Sequence, residues 1–511
     1  MERFSSAKEA GHIAAYCVPA AGSLRRQYRL RKVHARARNL DRNFLSLICS
    51  YFPVRTWTNR KQCYRLRRTI NRMSKSRSNK SSASTDPESR SRAREMVRSL
   101  RHRNFQLFFS GHMISLIGTW MQNVAQAWLV YRLTGSSLLL GVVGFAGQIP
   151  VFLLAPIGGL AADRWNRHRI VIGTQIVSMI LACILAILTL LHIVAVWEIV
   201  VLAALLGAVN AFDIPARQSF LIDMVGREDL MNAIALNSSM FNGARVIGPA
   251  IAGLLVAWIG EGWCFFANAV SYIAVIIGLL LMKLGPMRAV SKQATPIEHI
   301  AEGFRFVRRT APIMAIMLLI GLVSLVAVPY SVLMPIFADR VLHGGARALG
   351  ILMGASGAGA LLGALTLAMR RGVHGLGRWI AFSAIAFGAS LVLFSFSRWF
   401  LLSAILLVPV GYSVMLQMSS SNTMIQAMVP DELRGRAMAV YTMMFMGMAP
   451  MGALFAGVLA DSIGAPWTVA IGGIGAMVGG FLFWRRLPKL RFEARELLVA
   501  QGLAGEPEQA K

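Results

Sequence analysis

Between residues 107 and 484 the chain repeats one pattern, a long apolar run followed by a short polar break. Six runs come first, at 107–131, 138–162, 170–191, 196–222, 234–258 and 262–283. Six more follow at 312–337, 347–369, 379–396, 399–424, 437–460 and 465–484. A hydrocarbon layer of about 30 Å takes roughly 20 helical residues to cross, so each run can span a bilayer. Lipid offers bare backbone groups no water, which leaves helices and closed barrels as spanning structures. The alternation that barrel strands require is absent. The pattern therefore predicts an all-α membrane protein with twelve transmembrane helices. The polar, cationic stretch 282–312, "MKLGPMRAVSKQATPIEHIAEGFRFVRRTAP", separates the two sets.

The sets carry an internal repeat. Residues 224–263, shifted by 204 positions, fall on 428–467 without a gap. Met224, Val225 and Glu228 meet Met428, Val429 and Glu432. Met240, Phe241, Gly243 and Gly248 meet Met444, Phe445, Gly447 and Gly452. Gly253, Ile259, Gly260 and Trp263 meet Gly457, Ile463, Gly464 and Trp467. Two pseudo-symmetric six-helix bundles follow, an arrangement that suits a transporter with its site between them. The boundaries read as an N-terminal extension at 1–95, a bundle at 96–283, a linker at 284–311, a bundle at 312–485 and a tail at 486–511.

Composition and charge refine this picture. Charged residues are 15 % of the 511 and apolar ones 56 %, against about 25 % charged in ordinary soluble domains. The net charge of +30 is uneven, since residues 1–105 hold 26 of the 53 Lys/Arg and only 6 of the 23 Asp/Glu. That arm is rich in Arg and Ser and lacks a sustained apolar period, so it reads as disordered. It suits contact with anionic headgroups or nucleic acid. The plainer alternative is a natural start at Met96, where "MVRSLRHRNFQLFF" leads straight into an apolar helix. No secretory signal is recognisable. Loops 163–169, 282–312, 370–378 and 425–436 carry cations, whereas 261–263, 397–399 and 461–467 carry almost none. The cationic loops, and with them both termini, are expected on the cytoplasmic side. Cys17, Cys49, Cys63, Cys183 and Cys264 have no metal-site spacing and read as isolated thiols. There is no GxxxxGK[ST] phosphate loop and no nucleophile–base set. The sequence indicates no enzyme, no metal and no cofactor.

One short stretch stands out. "GLAADRWNRHR" (159–169) places an Asp, three Arg and a His between two apolar runs. Gly159, Asp163, Arg164, Arg167 and Arg169 follow the pattern Gly-x-x-x-Asp-Arg-x-x-Arg-x-Arg. Over about 100–485 the chain resembles the major facilitator superfamily, whose signature this loop is similar to. "RHRNFQLFFSGHMISLIGTWMQNVAQAWLVYRLTGSSLLLG" and "FDIPARQSFLIDMV" are similar to its enterobactin-exporter-like and macrolide-efflux-like branch, the transmembrane secretion effectors. Asn166 stands where that signature has Gly, and is expected to take the left-handed turn. Asp163 is suited to a helix N-terminus, where bare N–H groups favour an anion. The resemblance implies that this is the start of the eleventh span, near "DELRGRAMA", in a latch made when the carrier faces outward.

Ionisable residues inside spans are costly and are functional candidates. Asp213 lies about ten residues, roughly 15 Å, from the cytoplasmic end of the fourth span. Arg217 is one turn away, and Arg245 lies at similar depth in the fifth span. Their repeat mates are Gln417, Ser421 and Ala449, so the charges belong to one half. They suit proton coupling, with Arg245 the better partner for a changing distance. Otherwise they form a structural ion pair, within the fourth span or between the fourth and fifth. "GPAIAG" (248–253) resembles the antiporter motif of facilitator exporters at Gly248, Pro249 and Gly253, with Ala252 where a Gly is usual. Its alternative is close helix packing through small residues. Gln122, Asn123, Gln126, Tyr330 and Gln417 are candidate cavity residues, and the Met-rich eleventh span could line an adaptable pocket. Each of these could equally be polar glue between helices.

The resemblance implies a monomeric proton antiporter in a bacterial inner membrane, exporting a small amphipathic compound such as a siderophore, macrolide or other drug. Its partners are then substrate, protons and lipid, with no nucleic acid. Uptake of a metabolite by proton symport and a non-transporting sensor of the same fold stay open as alternatives. A chain beginning at Met96 should reach the same membrane abundance and melting temperature as the full chain. Loss of either in that truncation would show that 1–95 contributes to the fold.

Overall fold

The computed structural model describes residues 98–283 and 296–500, apart from 371 and 374. The predicted extension 1–95 lies outside the described residues. After a 3₁₀ turn at Arg98–Arg101 come α1 (Arg103–Thr134), α2 (Ser137–Arg164), α3 (Arg167–Leu190), α4 (Val196–Ile259) and α5 (Glu261–Leu280). The linker contributes α6 (Pro296–Arg309). Then follow α7 (Ala311–Val326), α8 (Gly345–Ala368), α9 (Leu376–Phe396), α10 (Phe400–Met428), α11 (Asp431–Ile463) and α12 (Ala465–Ala500). No strand occurs among the described residues.

Among the described residues, ten helical segments are long and apolar enough to cross a membrane. Their outer faces are apolar too: Phe382 is 73 %, Leu401 70 % and Leu153 62 % exposed. Surface of that kind requires an apolar solvent. The ten do not map one to one onto the predicted runs. The 64-residue α4 joins two of them, 196–222 and 234–258, across a break at Gly226. That residue takes φ +74°, open to glycine at little cost. The predicted run 312–337 is helical only to Val326 and continues as a 3₁₀ turn, a short helix and a π turn to Val341. Pro329 and Pro335 remove the donors a regular helix needs there. The last helix runs on to Ala500, past the end of the predicted span at 484.

Capping is local and legible. Ser136 Oγ accepts from the Leu139 amide at 3.3 Å to start α2. Gly135 closes α1 at φ +61°. Asn166 does not take the left-handed turn expected of it. It is extended, at φ −65° and ψ 109°, and its Oδ1 caps α3 by accepting from the Arg169 amide at 3.2 Å. Asn is among the better N-caps, and that role removes the need for a positive φ.

Helices α1 to α5 pack mainly on one another, and α7 to α12 do the same. The two groups meet along two seams, α2 against α11 and α4 against α8. Each seam is a glycine crossing. A Cβ on Gly253 would lie 2.7 Å from the Gly350 Cα, and one on Gly457 2.9 Å from the Gly141 Cα. Gly253 and Gly457 are repeat mates, so the same contact is made twice. Gly248 and Gly452 behave likewise: a Cβ would lie 2.5 Å from Trp120 Cβ of α1 or 2.6 Å from Pro329 Cγ after α7. Gly260 and Gly464 turn the chain into α5 and α12 at φ +88° and +87°.

Within the first group, Gly158 rather than Gly159 sets the approach of α2 to α4. A Cβ on Gly158 would collide with the Ala211 carbonyl, whereas one on Gly159 meets nothing within 4 Å. Gly158→Val should therefore cost about 1–3 kcal/mol through overpacking, and Gly159→Ala should leave the melting temperature unchanged. Thermal unfolding of the two purified variants checks this. Equal melting temperatures would contradict the packing described.

Candidate functional site

A cavity of about 470 Å³ opens between the two groups. From the first group it is lined by Trp120, Asn123 and Gln126 of α1, Gln148 of α2 and Asn210 of α4. From the second come Ser331, Met353 of α8 and Met446 of α11. The lining holds no Asp, Glu, Lys, Arg or His. Neutral amides, one indole and two thioethers form an amphipathic surface that can bind polar and apolar parts of one small molecule.

Beside the cavity α4 carries the buried carboxylate Asp213, 3 % exposed. Its Oδ1 accepts from Thr174 Oγ1 at 2.8 Å and Gln175 Nε2 at 2.9 Å, both on α3. Its Oδ2 lies 3.4 Å from Arg217 Nε, one turn along the same helix. Arg217 Nη1 in turn donates to His112 Nε2 of α1. Arginine cannot accept, so that nitrogen is bare and the imidazole is neutral with its proton on Nδ1. One charge pair thus ties α1, α3 and α4. Arg245 stands apart from it. Its Cζ lies 5.7 Å from the centre of the Trp120 ring, and Asp213 is paired through Arg217 instead. The ion pair between the fourth and fifth spans considered from sequence is not formed.

The two ends of the molecule differ. At one end Tyr131 Oη donates to Asp339 Oδ2 at 2.8 Å. Arg340 Nη2 donates to the Gly135 carbonyl at 3.0 Å, so α1 is bound to the segment after α7. Arg132 Nε donates to Glu261 Oε1 at 2.7 Å beside them. The other end holds the basic loop. Arg167 reaches the Ala162 carbonyl at 3.1 Å and Asp223 Oδ2 at 3.3 Å. Arg164 and Arg169 are exposed. Asp163 is exposed too, and no hydrogen bond or ion pair to it occurs among the described residues. Helix α11 is preceded by the N-cap Pro430, with no capping side chain. The latch anticipated between Asp163 and that helix is not made in this conformation. Nearby, Arg98 Nε and His102 Nε2 contact Asp229 at 2.6 and 2.8 Å, fastening the chain before α1 to the arm after Gly226.

Several predicted cavity residues point elsewhere. Gln122 is buried and accepts from Asn268 Nδ2 of α5 at 2.6 Å. Tyr330 Oη lies 2.7 Å from Ser356 Oγ of α8. Gln417 is fully buried, with neither amide atom bonded to a described residue. All three are interior to a helix group, and only Asn123 and Gln126 of the five line the cavity. Gly248, Pro249 and Gly253 lie on the α4 surface that meets α1 and α8. Sequence reasoning passed over His112, Gln148 and Asn210, although an imidazole and two amides inside apolar runs are signals of the kind used for Asp213.

Residues 96–504 match the family described as transmembrane secretion effector. The chain belongs to this family of the major facilitator superfamily. This transporter is 27 % identical over 392 residues to the staphyloferrin A transporter of Staphylococcus aureus, covering 76 % of this chain and 98 % of that one. It is 29 % identical over 353 residues to the multidrug efflux pump Tap of Mycolicibacterium fortuitum, covering 67 % and 85 %. It is 25 % identical over 398 residues to the enterobactin exporter EntS of Shigella boydii, covering 76 % and 93 %. Its fold is similar to that of the nucleoside transporter NupG, with a TM-score of 0.60 and 15 % identity over 76 % of this chain and 99 % of that one. A POT family transporter gives 0.62 and 11 %, over 76 % and 96 %.

The bonds at the Tyr131–Asp339 end can be tested directly. A hydrogen bond to a charged acceptor contributes about 1.5–3 kcal/mol, so Tyr131→Phe should shift the balance of states by roughly tenfold or more. Ser331→Cys, in a chain without other cysteines, should then react faster with an impermeant maleimide applied from the Asp339 side. An unchanged rate would mean that this bond does not hold that end shut.

Proposed function

We propose that this transporter exports a small amphipathic compound across a bacterial inner membrane by proton antiport and alternating access. The observation that carries the reading is the amphipathic cavity between two helix groups, which the Tyr131–Asp339 and Arg340–Gly135 bonds tie together at one end. Twelve crossings in two six-helix bundles fit the reading, with α4 contributing two crossings and α1 the more polar first one. The bundles then divide at 284–311, with the tail beyond 485, and the basic loops face the cytoplasm with both termini. In that orientation the Tyr131–Asp339 end is outer, and the cavity serves the cytoplasm. Asp163 is free because its latch belongs to the opposite, outward-facing state. The relatives' names, a siderophore transporter, a drug pump and a siderophore exporter, support efflux of such compounds. Function as a monomer accords with a cavity formed within one chain.

Asp213 is the proton site in this reading. A proton on its carboxylate weakens the pair with Arg217, whose remaining partner His112 sits on α1. Loading and release would thus change how α1, α3 and α4 are held. The competing role is a structural brace. Removing one partner of a buried pair costs roughly 3–5 kcal/mol, less where the survivor stays partly hydrated, and the Arg217 side chain is 24 % exposed.

Asp213→Asn should give a folded carrier that binds substrate without concentrating it against a gradient. Proton-driven flux in liposomes, with melting of the same protein, makes the measurement. Normal uphill flux would rule out Asp213. A large loss of melting temperature, restored by Arg217→Gln in the same chain, would assign the pair to bracing.

A further inference from the structure

Arg217 and Arg245 are partly buried in α4, Arg132 and Arg340 are exposed at one end of the molecule, and the four are held differently. Arg217 has Asp213 and Arg132 has Glu261. Arg340 has the Gly135 carbonyl and stacks over Tyr131. Arg245, in the middle of the second arm of α4 and partly buried, has no acidic partner among the described residues; its guanidinium rests on the Trp120 ring, with the Tyr330 hydroxyl near enough to feel its charge. An unpaired guanidinium inside a membrane protein is costly, and a cation–π contact offsets only part of that, about 2 kcal/mol when desolvated. Its repeat mate is Ala449, so the fold itself does not require a cation there.

The position is distinctive in two further ways. Trp120 is also a wall of the central cavity, so the cation stands directly beside that wall. Gly248, one turn along, packs against Trp120 Cβ and holds the indole in place. On the other side, Gly357 of α8 packs on the Arg245 backbone carbonyl. Arg245 therefore lies where both helix groups meet, behind the Trp120 wall of a cavity whose lining, which does not include Arg245, carries no charge of either sign. A cationic substrate would find no carboxylate in that lining and a guanidinium next to it. A carboxylate would find a planar donor fork able to bind it through two hydrogen bonds.

We infer that Arg245 receives an oxyanion of the transported compound, making the substrate an amphipathic acid whose apolar body lies against Trp120, Met353 and Met446. The inference rests on the export reading above and deepens it by naming the substrate class. Asn123, Gln126 and Gln148 then serve its neutral polar groups. The guanidinium is a binding group, distinct from the Asp213 pair.

Two xanthene dyes of similar size and opposite charge test this: fluorescein, a carboxylate anion, and rhodamine 6G, an esterified cation. Binding to purified full-length protein is read by fluorescence anisotropy, and proton-driven movement in liposomes. The wild type should bind fluorescein at least about tenfold more tightly than rhodamine 6G. Arg245→Gln should lose about tenfold or more of the fluorescein affinity, the scale of one charged hydrogen bond. Arg245→Lys should fall between, because it keeps the charge without the fork. It also supplies the answer if the glutamine variant does not fold. Absence of an anion preference in the wild type would overturn the inference. So would a loss shared equally by both dyes, or a lower melting temperature of Arg245→Gln with fluorescein affinity unchanged. Export fails separately: fluorescein bound through Arg245 but never moved uphill would support the inference and overturn export. Uphill movement of rhodamine 6G without an anion preference would do the reverse.

Discussion

Two glycine crossings hold the helix groups together, and the rest of the architecture depends on them. In water, apolar faces would be driven together by the hydrophobic effect. In lipid that drive is lost, and close van der Waals packing of small residues takes its place. Gly253 on Gly350 and Gly457 on Gly141 bring backbones near enough that no side chain fits between them. Both crossings lie on repeat-related positions of α4 and α11, so the joint is doubled about the centre. A cavity can open beside such a joint because contact is concentrated at points, with amides and thioethers lining the space between.

Against this nearly symmetric scaffold the charges are asymmetric. Asp213, Arg217 and Arg245 have neutral mates in the second group. Asp213 is fully engaged, with two neutral donors and one cation around it. Its mate Gln417 is buried without charge. The partners of Asp213 fix the carboxylate against α3 and Arg217. Coupling through Asp213 therefore requires movement of α1, α3 or Arg217 itself.

Much of the fold was legible because its determinants are periodic or repeated. The apolar runs mark helices, and the 204-residue shift locates the glycines that make both seams. What escaped depends on one residue or on side-chain direction. A single left-handed Gly226 joins two predicted runs into α4. Pro329 and Pro335 dissolve the end of another. Gln122 and Asn123 are neighbours in sequence, yet one turns inward to Asn268 and the other into the cavity. Helical spacing alone cannot choose between those faces without knowing where the partner helix lies. Arg245 illustrates the same limit: depth and charge drew attention to it, but only the placement of Trp120 and Arg217 shows that it stands outside the Asp213 pair.

The two ends also have to be balanced for turnover. The Tyr131–Asp339 bond is worth about 1.5–3 kcal/mol if its acceptor is charged. The proposed Asp163 latch, an anion at a helix N-terminus, is worth about 0.3–2 kcal/mol. These are similar, and tenfold in population corresponds to about 1.4 kcal/mol. A much stronger tie at either end would hold the carrier in one state and stop transport. Modest ties at the ends and tight glycine seams between them would then belong to one design. In the proposed alternating-access cycle, the seams would keep the groups paired and the ties would set which end is closed, so that substrate or a proton need contribute only a few kcal/mol to reverse it.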